Sequence, residues 1–494
     1  MKSQHSGTSA AAWSTLFVVC LVSMLIGLNS STVNVALPAL TRHFDATHFE
    51  ASWLVLSYMV ASTASLLLFG RISDMVNQRL LYLGGLGTYT LCSLACGFAP
   101  TVEWLIGLRI LAALAGAVLL GNGATLIHSI FPKVSLGTAM GLYAASFPVA
   151  SLIGPIAAGI VLEFTGWRWV FWLNVPIGVV ALAVGFLLLR RDPERAEGIS
   201  LDLTGNTLVI VVITLTTVSI SMVSEFGWAS PFVYGGLLIS LTLLPLLALA
   251  ERRSRHPVID VATLRTHGIG LLLLAGFFLS AGRFPAIVLM SLYLQGPLDL
   301  RPVETAVLLL PMPIGSILGS LCVGWLSRRR HARQISMIGA VVGQVGMMAL
   351  TGAVFAQHEW VLAGSLVFVG MGTGLFIGSN ATSLLEATPD ESLGVVNGMR
   401  LAVQNTGNVL SLALALTLLT VGLSPGLSEA VLQASIPGSQ APPQIIAGFG
   451  WSLTFLCVLG LVGTVVSITA ASRRRAPTRE VEVPAALSSV SETP

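Results

Sequence analysis

Charge is scarce in this 494-residue chain: Asp, Glu, Lys and Arg together make up 10% of it, against about 25% in a soluble domain. So few ions cannot clothe a water-facing shell, and a soluble globular protein is excluded. The longest hydrophilic gap, roughly 423–445, is too short to form a soluble domain. Carboxylates are missing from the middle of every long apolar stretch; Glu103, Glu163, Glu225 and Glu386 all lie near stretch ends. No G-x-x-x-x-G-K-[ST] sequence occurs, which argues against ATP hydrolysis by this chain. His, Asp, Glu and Cys do not converge at any membrane face as an embedded enzyme would require, so no enzymatic activity, metal or other cofactor is expected, and no nucleic-acid partner. Cysteine is rare too. Cys20, Cys92, Cys96, Cys322 and Cys457 all fall within apolar stretches, where free cysteine behaves as a small hydrophobe.

What fills the chain is apolar: 54% hydrophobic residues and a mean hydropathy of +0.86. Fourteen stretches are long enough to cross a bilayer, whose hydrocarbon core takes about 20 residues of helix. They lie near 14–37, 52–70, 80–98, 103–128, 137–162, 169–189, 203–224, 232–250, 268–294, 303–326, 335–356, 360–384, 394–422 and 446–471. Helix is the only single-segment solution, because backbone N–H and C=O groups find no water in lipid. The first stretch follows a single Lys2 and runs past Leu28 to Leu37 without a small-residue cleavage site, so it reads as a span and not as a removable signal.

Positive charge fixes the expected orientation. Nineteen of the 25 Lys and Arg lie in alternate gaps beginning with the N-terminal segment; Arg42, Arg168 and Arg301 lie in the other gaps, and Arg109, Arg283 and Arg400 within spans. That asymmetry predicts an even number of crossings with both termini cytoplasmic.

The chain also repeats itself. Gly121–Gly141 aligns without gaps on Gly378–Gly398, matching Gly121/Gly378, Thr125/Thr382, Pro132/Pro389, Gly137/Gly394 and Gly141/Gly398 among others. A shorter echo pairs Gly70-Arg-Ile-Ser73 with Gly324-Trp-Leu-Ser327. The expected fold is all-α, with two parallel six-helix bundles around a central pathway. The expected organisation is a tail (1–13), an N-terminal bundle (14–189), an extra hairpin (203–250), a C-terminal bundle (268–471) and a disordered tail (472–494). Gly370, Gly374 and Gly378, like Ala113, Ala117 and Gly121, form stripes of small residues suited to close helix packing.

These residues resemble the major facilitator superfamily, and within it the fourteen-span drug:proton antiporters. The most specific likeness is Trp167-Arg168-Trp169-x-Phe171-x-x-Asn174-x-Pro176-x-Gly178. Others are Leu28-Asn29 … Val33-Asn34-Val35-Ala36-Leu37-Pro38, the gating loop Gly70-x-x-x-Asp74 … Arg79, and Gly154-Pro155 … Gly159, similar to the antiporter motif of helix five. Arg109 matches the motif arginine of helix four, and Asp202, Gly205 and Pro257-Val-Ile-Asp260 flank the extra pair as in that branch. The chain departs from the pattern at Asn29, where a carboxylate is common, and at Met75, Asn77, Ala112, Ala113 and Ala158.

The resemblance implies coupling or gating roles for Asp74, Arg79, Arg109, Gly154 and Pro155. His128 and Glu386, at nearly matching positions of the repeat, are the remaining proton-carrier candidates. A charge buried in lipid costs about 2.5–3.5 kcal/mol on insertion scales, so Arg283 near the middle of its span reads either as a cavity charge or as a clamp on backbone carbonyls. Arg400 with Gln404 and Asn408 makes a polar stripe, and Asn29 and Asn34 can hydrogen-bond cargo or neighbouring helices. The expected function is proton-driven export of small amphipathic compounds by alternating access. A facilitator or uptake permease of the same fold is the alternative. The expected setting is a bacterial cytoplasmic membrane, with small molecules, protons and lipid as partners and a monomeric state.

Overall fold

The computed structural model describes residues 10–46, 48–189, 203–227, 229–253, 268–389, 392–421, 423–424, 427, 431 and 443–472. Residues 1–9 and 473–494, which make up most of the two expected tails, and the Asp202 and Pro257–Asp260 motif positions lie outside these residues, while residues 10–13 and 472 are helical. Every regular element among the described residues is a helix. Seventeen follow in order: α1 (Ala10–Phe44), α2 (His48–Met75), α3 (Gln78–Cys96), α4 (Val102–Ile130), α5 (Lys133–Phe164), α6 (Arg168–Trp172), α7 (Asn174–Leu188), α8 (Leu203–Ser221), α9 (Val223–Phe226), α10 (Pro231–Arg253), α11 (Ile269–Gln295), α12 (Pro302–Leu309), α13 (Pro311–Leu326), α14 (Ala332–Ala356), α15 (Glu359–Glu386), α16 (Leu393–Thr420) and α17 (Pro443–Ser472).

Among the described residues, eleven spans are long and apolar enough to cross a membrane, and Gly205–Ile220 and Pro231–Leu247 are shorter apolar helices. The stretch expected at 80–98 falls on α3, 19 residues long. Local chemistry sets the helix starts. Asn77, standing where the family pattern has glycine, caps α3 by accepting from the Leu80 N–H at 3.1 Å, an orphan donor of the first turn. Pro302 and Pro311 open α12 and α13, where a missing N–H costs nothing.

The packing repeats with the sequence. In the first part α1 lies on α5, α2 on α4, and α3 on α4 and α7. In the last part α11 lies on α16, α13 on α15, and α14 on α15 and α17, the same neighbours in the same order. The small-residue stripes make these contacts. A Cβ on Gly370 or Gly374 would collide with the backbone of Met312 or Ser316 on α13, while Ala113 and Ala117 are fully buried on α4. The two parts meet where α2 crosses α16 and where α5 crosses α13. α8 rests beside the first crossing, against both α2 and α16, and α10 lies outside α8, tied to it by Thr216 and Ser240 hydroxyls 2.6 Å apart.

The polarity of the whole is inverted relative to a soluble protein. Large apolar side chains cover the outside, among them Trp360 at 90% exposure and Leu187 at 83%. Arg71, Asp74, Arg109, Arg283 and Arg400 are buried within. Such a surface is stable only against lipid. The protein is a multi-pass membrane protein.

Candidate functional site

The contact between the two parts is built from glycine and one acid. At the α2–α16 crossing, a Cβ on Gly394 would strike the Gly70 carbonyl oxygen, and one on Gly70 would strike that of Gly394. One turn deeper, a Cβ on Gly398 would lie 2.5 Å from the Leu66 carbonyl oxygen. At the α5–α13 crossing, Gly137 abuts Ser327 and Gly141 abuts the Ser320 carbonyl. These are the repeat-related positions Gly394, Gly398, Gly137 and Gly141, so the duplication seen in sequence recurs as a duplicated contact.

Charge breaks that symmetry. Asp74, 2% exposed, reaches across to the start of α16: one carboxylate oxygen accepts from the Gly394 N–H at 2.8 Å and the other from the Val395 N–H at 3.0 Å. Both donors belong to the first turn, which has no intrahelical acceptors and carries the positive end of the helix dipole. The corresponding position after Gly324-Trp-Leu-Ser327 is Arg328, which is exposed. Only the α2–α16 crossing therefore has an anionic latch. Arg79 does not pair with it; its guanidinium donates to the Phe186 carbonyl in the last turn of α7 at 2.7 Å, within its own half.

Next to the latch lies a polar cluster on α16. Asn397 donates to the Gly121 carbonyl of α4 at 2.7 Å. Arg400 donates to the Asn397 side-chain oxygen from Nε (3.1 Å) and Nη2 (3.0 Å), and to Gln404 from Nη1 (3.4 Å). Tyr143 of α5 lies close enough to interact electrostatically with Arg400. Further along α16, Asn405 donates to Thr63 of α2 at 3.3 Å. Asn397, Tyr143 and Asn405 were not singled out in the sequence. Asn397 continues the Arg400, Gln404, Asn408 stripe backwards by three residues, a signal that was present; nothing marked Tyr143.

The other cations are placed differently. Arg109 is 4% exposed, its guanidinium carbon 5.3 Å from the centroid of the Tyr58 ring, with Tyr89 and Cys96 nearby. Arg283, 3% exposed, donates to the carbonyls of Ala340 (2.7 Å) and Gly339 (3.3 Å) on α14 and packs on Gly343. Both carbonyls lie on α14, which belongs with α11 to the last part of the chain, so this guanidinium is bonded within its own half. It clamps carbonyls, though not the one Pro285 frees. No described carboxylate lies within 4 Å of Arg109, Arg283 or Arg400. Arg283→Met is expected to keep transport within about threefold of wild type, because the lost bonds go to helix carbonyls within the same half and an apolar side chain of similar length fills the space. A folded variant that no longer transports would place Arg283 in the pathway.

His128 and Glu386 are half-buried in the last turns of α4 and α15. Asn29 is buried and Asn34 exposed on α1. Gly154 brings α5 onto Ser31 of α1, and α5 continues through Pro155 as one helix. The Trp167–Gly178 motif is a packing hub: Trp167 sits among His43, Phe44 and Phe171, and Gly178 abuts Thr90.

Residues 19–412 match the family model described as Major Facilitator Superfamily. The puromycin resistance protein pur8 of Streptomyces alboniger is 29% identical over 84% of this chain and 83% of its own length. The riboflavin transporter RibZ of Clostridioides difficile is 26% identical over 92% of this chain and 97% of its own. Among solved structures, that of the human organic anion transporter MFSD10 superimposes with a TM-score of 0.66 at 13% identity, covering 92% of this chain and 99% of that one.

Proposed function

The chain belongs to the major facilitator superfamily, and from that premise we propose that it is a secondary active exporter of small amphipathic compounds, driven by proton antiport across a bacterial cytoplasmic membrane. The observation that carries this reading is the Asp74 latch. It joins the two halves at the end of the molecule where the positive charges of the sequence lie, the cytoplasmic end in the proposed fourteen-span orientation. An exporter must hold that end shut while cargo leaves on the other side. A carboxylate on two orphan N–H groups is a reversible bolt for the purpose, since each charge-assisted bond is worth about 1.5–3 kcal/mol. Relatives named for antibiotic resistance support export.

Arg109 fits a coupling role. A guanidinium stacked on Tyr58 and without a carboxylate partner responds strongly to any proton or charge arriving beside it, because the surrounding dielectric is low. Arg109→Ala is expected to reduce proton-driven transport at least about tenfold while the protein still folds. Arg109→Lys is expected to rescue little, since an ammonium lacks the planar stacking face. Unchanged activity in Arg109→Ala would remove the residue from the mechanism.

Asn29 favours a second reading, a facilitator or uptake permease, because the first helix lacks an ionisable group at that point. Everted vesicles separate the two. An antiporter releases protons from acidified vesicles when cargo is added and stops accumulating it when the gradient is collapsed. A facilitator equilibrates cargo with no proton signal and no dependence on the gradient.

A further inference from the structure

We propose that Arg400 and Gln404 form an oxyanion-recognition subsite, so that the preferred cargo is an organic anion carrying a carboxylate or phenolate on an apolar body. The inference rests on the transporter reading and deepens it by naming a substrate class. Four observations carry it. Arg400 is 4% exposed and has no described carboxylate within 4 Å, so its charge is uncompensated by the protein. Three of its five N–H groups are used, two on Asn397 and one on Gln404, leaving two donors. Gln404 is 7% exposed and its side-chain nitrogen has no partner, although the oxygen of the same amide serves Arg400. This nitrogen borders Gly276 of α11: a Cβ there would lie 3.1 Å from it and 3.8 Å from the Asn380 side-chain oxygen.

Unused donors of guanidinium and amide type gathered around one buried positive charge complement an oxyanion. They oppose an ammonium, which brings only donors and like charge. The location suits transport as well. Arg400 lies two turns beyond the Asp74 latch, and Asn397 holds the Arg400 side chain while bonded to the Gly121 carbonyl of the opposite half. Parting the halves at the latch end pulls these groups asymmetrically, so an anion seated on Arg400 meets different surroundings in the two access states. A ligand shifts a conformational equilibrium only through such a difference. Arg109 and Arg283 also keep unpartnered donors, but the guanidinium of the first lies over the Tyr58 ring and that of the second is turned onto α14 carbonyls within its own half.

The test holds the apolar body constant and varies the charge. Full-length protein in lipid nanodiscs is titrated calorimetrically with 2-naphthoate, the uncharged 2-naphthamide and the cationic 2-naphthylmethylammonium at equal ionic strength. Wild type is expected to bind naphthoate at least about tenfold more tightly than the amide, the worth of one charge-assisted contact, and the ammonium most weakly. Arg400→Gln should remove the naphthoate preference while retaining amide binding, and Arg400→Lys should restore part of it. Gln404→Leu should reduce the preference with the charge still present. The proposal is overturned if wild type binds none of the three, if its preference for naphthoate is below tenfold, or if Arg400→Gln keeps that preference. Should Arg400→Gln fail to fold, an undiminished preference in Gln404→Leu overturns it equally. Proteoliposome uptake separates the underlying reading: Arg400-dependent binding without movement across the bilayer would defeat the exporter and leave the anion subsite standing.

Discussion

Asp74→Asn is expected to open the latched end of the protein to water and to lower energised transport at least about tenfold. The native carboxylate offers both oxygens to two N–H donors, Gly394 and Val395. An asparagine of the same size offers one oxygen and turns an NH2 group toward the other donor, so one bond is replaced by an opposed pair. The negative charge that complements the start of α16 is lost as well. At about 1.5–3 kcal/mol for each bond to a charged group, and tenfold in population for each 1.4 kcal/mol, the closed state gives up one to several orders of magnitude. Site-directed labelling measures this directly. With the five native cysteines replaced, a cysteine at Ala144, which faces Gly378 across the junction, should react at least about tenfold faster with an impermeant maleimide in everted vesicles. Asp74→Glu, one methylene longer, should lie between. Labelling at the wild-type rate in Asp74→Asn would show that the acid does not hold the halves together.

The second large effect is steric. Gly398→Leu is expected to abolish transport, by about a hundredfold or more, in a protein that still inserts and folds. Its Cβ alone would meet the Leu66 carbonyl oxygen at 2.5 Å, and backbone cannot yield as a side-chain tip does. Because the clash lies between the halves and not inside either, each bundle keeps its own core and only the closed arrangement is lost. Overpacking a close contact typically costs about 1–3 kcal/mol for a methylene or two, and a whole isobutyl group exceeds what the junction accommodates. Two corollaries sharpen the test. Truncating Leu66 to Ala should not rescue Gly398→Leu, since the obstacle is a carbonyl. Gly141→Leu, which strikes the Ser320 carbonyl at the symmetry-related crossing, should be as inactive. Normal transport in either variant would mean that the halves do not close on these faces during the cycle.

The two variants also differ in kind. Asp74→Asn weakens a closed state that remains geometrically allowed, so a tightly binding cargo should partly restore it. Gly398→Leu forbids the state, and no ligand should. The contrast separates an energetic latch from a steric fit.

Much of this site was legible in the residues. Asp74 stood out through the resemblance of Gly70-x-x-x-Asp74 … Arg79 to the family's gating loop, where a charge can meet a helix end; the structure places it in the last turn of α2. Gly137/Gly394 and Gly141/Gly398 were visible as repeats, and small residues at helical spacing imply backbone approach. Arg79 bonding the last turn of α7 is the same logic with the opposite sign, a cation at a helix C-terminus. Arg283 was legible only as a dilemma between cavity charge and carbonyl clamp. Its partner carbonyls lie 56 and 57 residues away, and no local pattern encodes which neighbour a buried arginine turns toward. Tyr143 carried no signal at all, since an aromatic residue in an apolar run is ordinary until another helix brings Arg400 beside it.

Composition and order alone settled that this chain lives in lipid, that it is helical, and that it is built twice over. Those properties follow from short-range physics: a backbone in hydrocarbon must bond to itself, and duplicated stretches of like sequence meet like constraints. Which crossing carries an acid, which neighbours each buried arginine turns toward, and which half supplies each group were decided by packing. They depend on how α2, α5, α13 and α16 rotate about their axes at the junction. That rotation is a balance of many weak contacts among residues hundreds of positions apart, and no segment of the sequence holds it.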